Sequence, residues 1–419
     1  MKLLHAADLH IDSPLRGLER YPDAPADLLQ GATRRAMENL VELARAERVD
    51  AVLLAGDIFD GDWKDFETAL FFRGQLGRLN EAGIPVYVVS GNHDAASKIS
   101  RTLTYPENVF VFGTHEAESA PPNEDAGFVV HGQGYARQAT VENLAVHYPA
   151  ALPGYFNIGL LHTALNGREG HDPYAPCTEQ ELAALGYDYW ALGHVHTREV
   201  VSTRPFIVFP GNIQGRHVKE TGPKGATLVS VRMGQTEIEH RDLDVVRWAH
   251  LEVDASGARD LDEACGLARL EMERARDEAG GRPLAARVSF VGRSDAHSEL
   301  WRKREQLAAE LRALAQDYGD VWLEKVRPAT SSPLQAAADA ASSRAAAGEL
   351  VDGILHTARE LRADEDALRR AIEKSELWNK LPAEARGRDR LDIAEPEWCG
   401  RLLDEAAELL TAMLEEGSA

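Results

Sequence analysis

Five short segments in the first half of the chain carry side chains that bind cations: Asp8-Leu9-His10, Gly56-Asp57-Ile58-Phe59-Asp60, Gly91-Asn92-His93-Asp94, His162, and Gly193-His194-Val195-His196. In an extended chain residues i and i+2 face the same side, so Asp8 and His10 can converge on one point, as can His194 and His196. Each motif alone is weak. An Asp-x-His pair is often plain surface chemistry, Gly-Asp is a common turn, and Asn-His-Asp after glycine also suits a helix cap. The conjunction decides, because all five follow apolar runs that read as strands, and open α/β sheets build their sites at strand ends. A carboxylate such as Asp57 can bridge two cations, and the number of donors suits two. Carboxylate, amide oxygen and imidazole favour Mn, Fe or Zn over Ca or Mg. The absence of cysteine ligands argues against a structural zinc. Two cations about 3.5–4 Å apart polarise a phosphoryl group and supply hydroxide at neutral pH.

The elements that must position these groups alternate in type. Strands are expected at 2–7, 51–55, 85–89, 109–112, 127–131, 156–161, 188–192, 199–202 and 206–209. The segments 226–231 and 236–242 form a hairpin through Met233-Gly234-Gln235. Helical spacing marks 33–47, with Ala36, Leu40, Leu43 and Ala44 on one face, and 66–82, with Phe66, Leu70, Leu76 and Leu79. From residue 246 the rhythm changes to strand 248–253, helix 261–278, strand 285–291, helix 298–315 and strand 321–326, broken by Gly280-Gly281-Arg282-Pro283. Residues 329–419 are rich in Ala, Glu and Leu. Ser331-Ser332-Pro333 and 336–347 read as linker or weak helix, followed by amphipathic helices at 350–361 and 398–414. Three parts are expected: 1–245, 246–328 and 329–419.

The chain has 419 residues, 44% of them hydrophobic, and a formal net charge of −22. That length supports a large core and more than one domain. The charge gives no global attraction for polyanions, so a polyanionic substrate needs local Arg or Lys, bound cations or a partner. The three cysteines, Cys177, Cys265 and Cys399, are far apart without a CxxC pair, which fits a reducing, cytoplasmic setting. No apolar run is long enough to span a membrane. Residues 1–10 do not read as a signal peptide, being broken by His5, Asp8 and His10.

These motifs resemble the calcineurin-like metallophosphoesterases. Within that superfamily the first 217 residues are similar to SbcD-type DNA repair exonucleases, especially a YhaO-like branch. The resemblance is carried by the stretch from His5 to Pro14, by Ala55-Gly56-Asp57-Ile58-Phe59-Asp60, and by Pro210-Gly211-Asn212-Ile213-Gln214-Gly215-Arg216-His217. It implies a four-layer αββα sandwich with a small α+β capping domain, matched only in element order, and a helical C-terminal region. It further implies one metal on Asp8, His10, Asp57 and His196 and another on Asp57, Asn92, His162 and His194, with manganese foremost and iron or zinc as alternatives. His93, not itself a ligand, would protonate the leaving oxygen or stabilise developing charge, with Asp60 orienting it. Some relatives carry histidine at the position of Asp60. The implied reaction is in-line attack of hydroxide on a phosphodiester.

The leading functional expectation is a DNA exonuclease or endonuclease subunit working with a coiled-coil SbcC-type ATPase. This chain has no Gly-x-x-x-x-Gly-Lys-[Ser/Thr] loop of its own. The family often dimerises, but no interface is legible in the sequence. The C-terminal helices are read either as an accessory bundle or as the docking element. A small-molecule phosphodiesterase or phosphomonoesterase is the second expectation, favoured by the acidity, and a non-catalytic DNA-end scaffold the third. Arg216 and His217 are expected in a solvated loop rather than on a phosphate. Lys98 and Arg101 could touch a nucleic-acid backbone or lie on a plain helix face. His5, His115, His131, His147, His171, His240, His250, His297 and His356 fit no motif and are expected to be structural or exposed.

Overall fold

A computed structural model describes residues 1–13, 15, 31–60, 66–96, 103–166, 174–332, 346–375, 378, 380 and 396–416. Pro14, Lys98, Arg101, His171 and most of the 336–347 segment lie outside them. The chain divides into two compact units. The first comprises Met1–Ala249, Arg276–Ala286 and Asp320–Glu324, the second His250–Ala275, Arg287–Gly319 and Lys325–Ala419.

Two six-stranded sheets dominate the first unit. One contains β1 (Lys2–Ala6), β2 (Ala51–Ala55), β3 (Val86–Val89) and β4 (Val109–Val111). The other contains β5 (Glu118–Ser119), β6 (Phe128–Gly132), β7 (Phe156–His162), β8 (Tyr189–Gly193), β9 (Glu199–Thr203) and β10 (Phe206–Phe209). The hairpin β11 (Gly225–Arg232) and β12 (Gln235–Asp242) completes the first, giving the order β12-β11-β1-β2-β3-β4. The second sheet has the order β5-β6-β7-β8-β10-β9. β1, β2, β3 and β4 are mutually parallel, as are β6, β7 and β8, so their C-terminal ends lie at one edge of each sheet.

Packing explains the near-continuous apolar strands. Leu53, Tyr87, Val89, Val130, Ile158, Leu160, Tyr189 and Val208 form one cluster with residues from both sheets. On the outer face of the first sheet, Leu4, Val52, Leu54 and Val86 pack with Met37, Leu40, Phe72 and Leu76 of the helices Ala32–Glu47 and Phe66–Glu81. On the outer face of the second, Leu161, Trp190, Leu192 and Ile207 pack with Tyr148 and with Leu182 of the helix Glu179–Ala184. The result is the four-layer α/β sandwich. Ala51–Ala55 is buried at every position, as a parallel strand covered on both faces must be. Truncating a core side chain such as Leu53 to alanine would cost about 2–5 kcal/mol.

Helix Ala32–Glu47 stops where Arg48 enters the left-handed region (φ 51°) and its N–H caps Ala44 and Arg45, which turns the chain into β2 within three residues. Helix Phe66–Glu81 departs from its expected face. Phe66 and Leu70 are 69% and 63% exposed, while Ala69, Phe72, Leu76 and Leu79 form the buried stripe. Leu76 and Leu79 lie on the buried stripe as expected, whereas Phe66 and Leu70, which share the i, i+4 spacing of a core face, do not. His5, without a motif, is fully buried, with Nδ1 2.9 Å from the Tyr189 hydroxyl and Nε2 3.1 Å from the Leu192 carbonyl oxygen.

The second unit holds helices and the strand segments 250–254, 287–291 and 325–328. A third sheet orders β13 (Arg247–Asp254), β14 (Leu284–Val291) and β15 (Val321–Pro328). The helix expected at 298–315 is two, His297–Arg302 and Arg304–Tyr318. In the C-terminal region Ala346–Ala363, Glu365–Lys374 and Pro396–Glu416 pack together, and the last also packs on His297–Arg302. Asp364 caps the middle helix by accepting from the Ala367 N–H at 2.9 Å. Arg327 pairs with Glu405 at 2.8 Å. Among the described residues no helix is long and apolar enough to cross a membrane.

Candidate metal centre

Every expected ligand sits just past or at the end of a parallel strand. Asp8 and His10 follow β1, Asp57 and Asp60 follow β2, Asn92 and His93 follow β3, His162 ends β7, and His194 and His196 follow β8. The chain bends sharply there. Asp8, His10, Asp57 and His194 have φ of 51°, 42°, 52° and 103°. Non-glycine residues in that region cost of order 1–3 kcal/mol each and persist where surrounding structure holds them, characteristically at functional sites. Gly193 lets β8 approach the Ala55 carbonyl so closely that a Cβ there would overlap the oxygen. A Cβ on Gly56 would lie 2.6 Å from His162 Nδ1.

On one side of the cluster, His162 Nδ1 lies 2.8 Å from the Ala55 carbonyl oxygen. That carbonyl can only accept, so Nδ1 carries a proton. His162 Nε2 is 2.9 Å from Asn92 Oδ1 and 3.5 Å from Asp57 Oδ2. The His194 ring lies edge-on to His162 at 5.2 Å between centroids. On the other side, His10 Nε2 and His196 Nε2 are 3.3 Å apart, and His196 Nε2 is 3.9 Å from Asp8 Oδ1. The His194 backbone N–H donates to both Asp8 carboxylate oxygens at 3.1 Å. The His93 N–H donates to Asp57 Oδ1 at 2.9 Å, which fixes that carboxylate between the two sides.

Asp60 stands at the rim. Its Oδ1 is 3.1 Å from His93 Nδ1 and 3.6 Å from His10 Nδ1, and its Oδ2 accepts from the Ser13 hydroxyl at 2.9 Å. The interior groups Asp8, His10, Asp57 and His162 are essentially buried, whereas the side chains of His93, His196 and Asp60 are 35%, 22% and 21% exposed. The cluster therefore opens to solvent on the side of His93.

Charge follows this geometry. Burial pushes the Asp57 carboxyl up, but His162 beside it prevails and holds it well below the usual range. Burial would lower the His162 imidazole, yet Asp57 lifts it to about 9. His10, fully buried, is pushed down to about 3 and stays neutral. Burial raises Asp8. At the rim, burial opposes but does not overcome the histidines that depress Asp60, and Asp60 in turn raises His93 despite partial burial.

Residues 1–198 match the calcineurin-like phosphoesterase family, and residues 248–331 match the middle domain of metallophosphoesterase YhaO. The uncharacterised metallophosphoesterase YhaO of Bacillus subtilis is 37% identical over 300 residues, covering 70% of this chain and 72% of that protein. The DNA double-strand break repair protein Mre11 of Sulfurisphaera tokodaii is 26% identical over 275 residues, 62% of this chain and 67% of the relative. A crystal structure of a dimetal phosphatase from Danio rerio aligns with TM-score 0.36 and 13% identity over 58% of this chain and 96% of its own, too loosely to add to the family match.

The chain belongs to the calcineurin-like metallophosphoesterase family. As such it is a phosphoester hydrolase, of a family that works with a dinuclear centre of divalent cations. The donor set fits such a centre. His162 Nε2, Asn92 Oδ1 and an Asp57 oxygen converge lone pair on lone pair, as do two imidazole nitrogens and Asp8, and each group needs a proton or a cation at its focus. The buried His10 Nδ1 makes no hydrogen bond and lies 3.6 Å from Asp60 Oδ1. Among the described residues Asp8, His10 and His196 form one focus, Asp8, Asp57 and His162 another, and His10, Asp60 and His93 a third at the rim, with candidate ligand atoms within 4.8 Å of one another in each.

Arg216 departs from expectation. It is not in a solvated loop: its side chain is 13% exposed, with Nη2 3.2 Å from Glu220 Oε1 and 3.2 Å from His196 Nδ1. His217, 35% exposed, lies 3.6 Å from the same Glu220 carboxylate. Sequence reasoning also passed over Asp94 and Glu220. Asp94 accepts from the N–H groups of Ile58, Phe59 and Gly91 at 2.9, 3.0 and 3.0 Å, tying the β2 loop to the β3 loop. Its place beside His93 in the Asn-His-Asp motif was a usable signal. Glu220 offered none, being 24 residues beyond His196.

Proposed function

We propose that this metallophosphoesterase hydrolyses phosphodiester bonds in DNA, as an exonuclease or endonuclease subunit, with two manganese ions on Asp8, His10, Asp57, Asn92, His162, His194 and His196. The observation that carries the reading is the rim pair. His93 Nδ1 is 3.1 Å from Asp60, at the side where the cluster opens, which leaves Nε2, without a hydrogen bond among the described residues, for a substrate. When bound, the cations would neutralise phosphoryl oxygens and lower the pKa of water. The protein's own groups do the rest. Asp60 keeps His93 oriented and raises its pKa. Water adds to phosphorus and loses a proton to solvent as the P–O bond to the leaving oxygen breaks, and His93 gives its Nε2 proton to that oxygen, so the products are a hydroxyl and a phosphomonoester.

Similarity to the archaeal break-repair protein supports DNA as substrate, and the YhaO-type middle domain supports a branch-specific role. A coiled-coil ATPase of the SbcC type is the proposed partner, docking on the C-terminal helices, where Leu402 and Leu410 are 39% and 48% exposed. A second reading, hydrolysis of small phosphoesters, is favoured by the net charge of −22. Turnover of an end-labelled linear duplex with manganese, set against bis-p-nitrophenyl phosphate and cyclic AMP, separates the two. Cleavage of the duplex with steeply salt-dependent binding is expected. Turnover confined to the small esters would overturn the DNA assignment.

A further inference from the structure

We infer that Glu220 is a positioning residue of the metal centre, setting which nitrogen of His196 faces the cation. The inference rests on the cation reading of the cluster but not on the nature of the substrate. His196 Nδ1 is 2.8 Å from Glu220 Oε1. Arg216 Nη2 lies 3.2 Å from that same nitrogen and also donates to Oε1. A guanidinium has no lone pair to offer, so if Nδ1 lacked its proton Arg216 would compete for it. The carboxylate between them resolves the contest. It accepts from both, the proton stays on Nδ1, and the Nε2 lone pair is left facing Asp8 and His10.

Glu220 is itself held as an acceptor. Its side chain is 4% exposed, a costly place for a charge unless it is fully paired. The second oxygen accepts from Asn212 Nδ2 at 3.0 Å and from the Arg216 backbone N–H at 2.7 Å. Asn212 is completely buried, and Lys224 Nζ bonds the His196 carbonyl at 3.0 Å, so the far side of the ring is fastened at both backbone and side chain. A charged acceptor behind a ligating imidazole also makes the ring a better donor, and losing such a partner commonly costs 10- to 100-fold in cation affinity.

Manganese titration by calorimetry tests this, using cation-stripped full-length protein with elemental analysis after dialysis. In Glu220→Ala one of the two binding steps should weaken 10- to 100-fold while the other keeps its wild-type affinity. Glu220→Gln, which keeps the shape but not the charge, should fall between. Long-range proton–nitrogen spectra of the stripped protein should show the His196 proton on Nδ1 in the wild type and redistributed in Glu220→Ala. Should the alanine variant not fold, the glutamine variant alone decides, through the same single-step weakening. Two unchanged steps, or two steps weakened alike with an unmoved His196 tautomer, would overturn the assignment. No nucleic acid enters the measurement, so its outcome is independent of whether DNA is cleaved.

Discussion

The two sides of the metal centre are anchored by different means. The His162 side is fastened to the sheets. His162 is the last residue of β7, its Nδ1 rests on the carbonyl of Ala55 at the end of β2, and Gly193 gives β8 room to close against that carbonyl. The His196 side is fastened by a loop's side chains, with Glu220, Arg216, Asn212 and Lys224 surrounding a ring that is partly exposed. The difference separates stability from chemistry. On the first side any disturbance strains the packed strands, while on the second a side chain can be changed with the sheets left in place.

The largest expected effect removes the group shared by both sides. Asp57→Asn should lose both cations by elemental analysis and reduce phosphodiesterase turnover to background. Retention of two cations would show that Asp57 does not join the sides. Next comes His93→Ala, predicted to lower kcat about 10²- to 10⁴-fold with both cations kept. Loss of a cation in that variant would make His93 a ligand.

The contrast sharpens in a matched pair. His162→Ala should lose its cation and lower the urea midpoint together, because it empties a fully buried site among the strands. His196→Ala should lose its cation with a much smaller shift, since that ring is 22% exposed. Equal shifts in the two variants would erase the distinction. Asp94→Ala strips three buried backbone N–H groups of their acceptor and should cost at least about 2 kcal/mol in denaturant unfolding. The smallest effect is expected from Ser13→Ala, which removes one hydrogen bond to Asp60 and should lower kcat about two- to tenfold with unchanged cation content.

Many of the strand positions were legible because buried parallel strands must be apolar along their whole length; their order within the sheets was not read. Ala51–Ala55 and Val86–Val89 are written so, each followed by a polar motif. The candidate ligands stood out for a related reason. Asp, Asn and His at the end of an apolar run have few structural duties there, and Asp8-x-His10 and His194-x-His196 carry the spacing of groups meant to converge. The exposed face of helix Phe66–Glu81 was not legible, because Phe66 and Leu70 keep a core-like spacing and only the packed sheet shows which stripe it accepts.

By itself, then, the sequence determined the family, the layered α/β class and the kinds of atoms offered to a cation, since these depend on local pattern and side-chain chemistry. Tertiary structure alone decided that Asp94 ties two loops, that Arg216 is drawn in from solvent, and that Glu220 stands behind His196. Apart from the Arg216–Glu220 pair, four residues apart, those contacts join residues remote along the chain or loops from different strands. Their partners are chosen by how the strands stack and bend, which no run of neighbouring residues encodes.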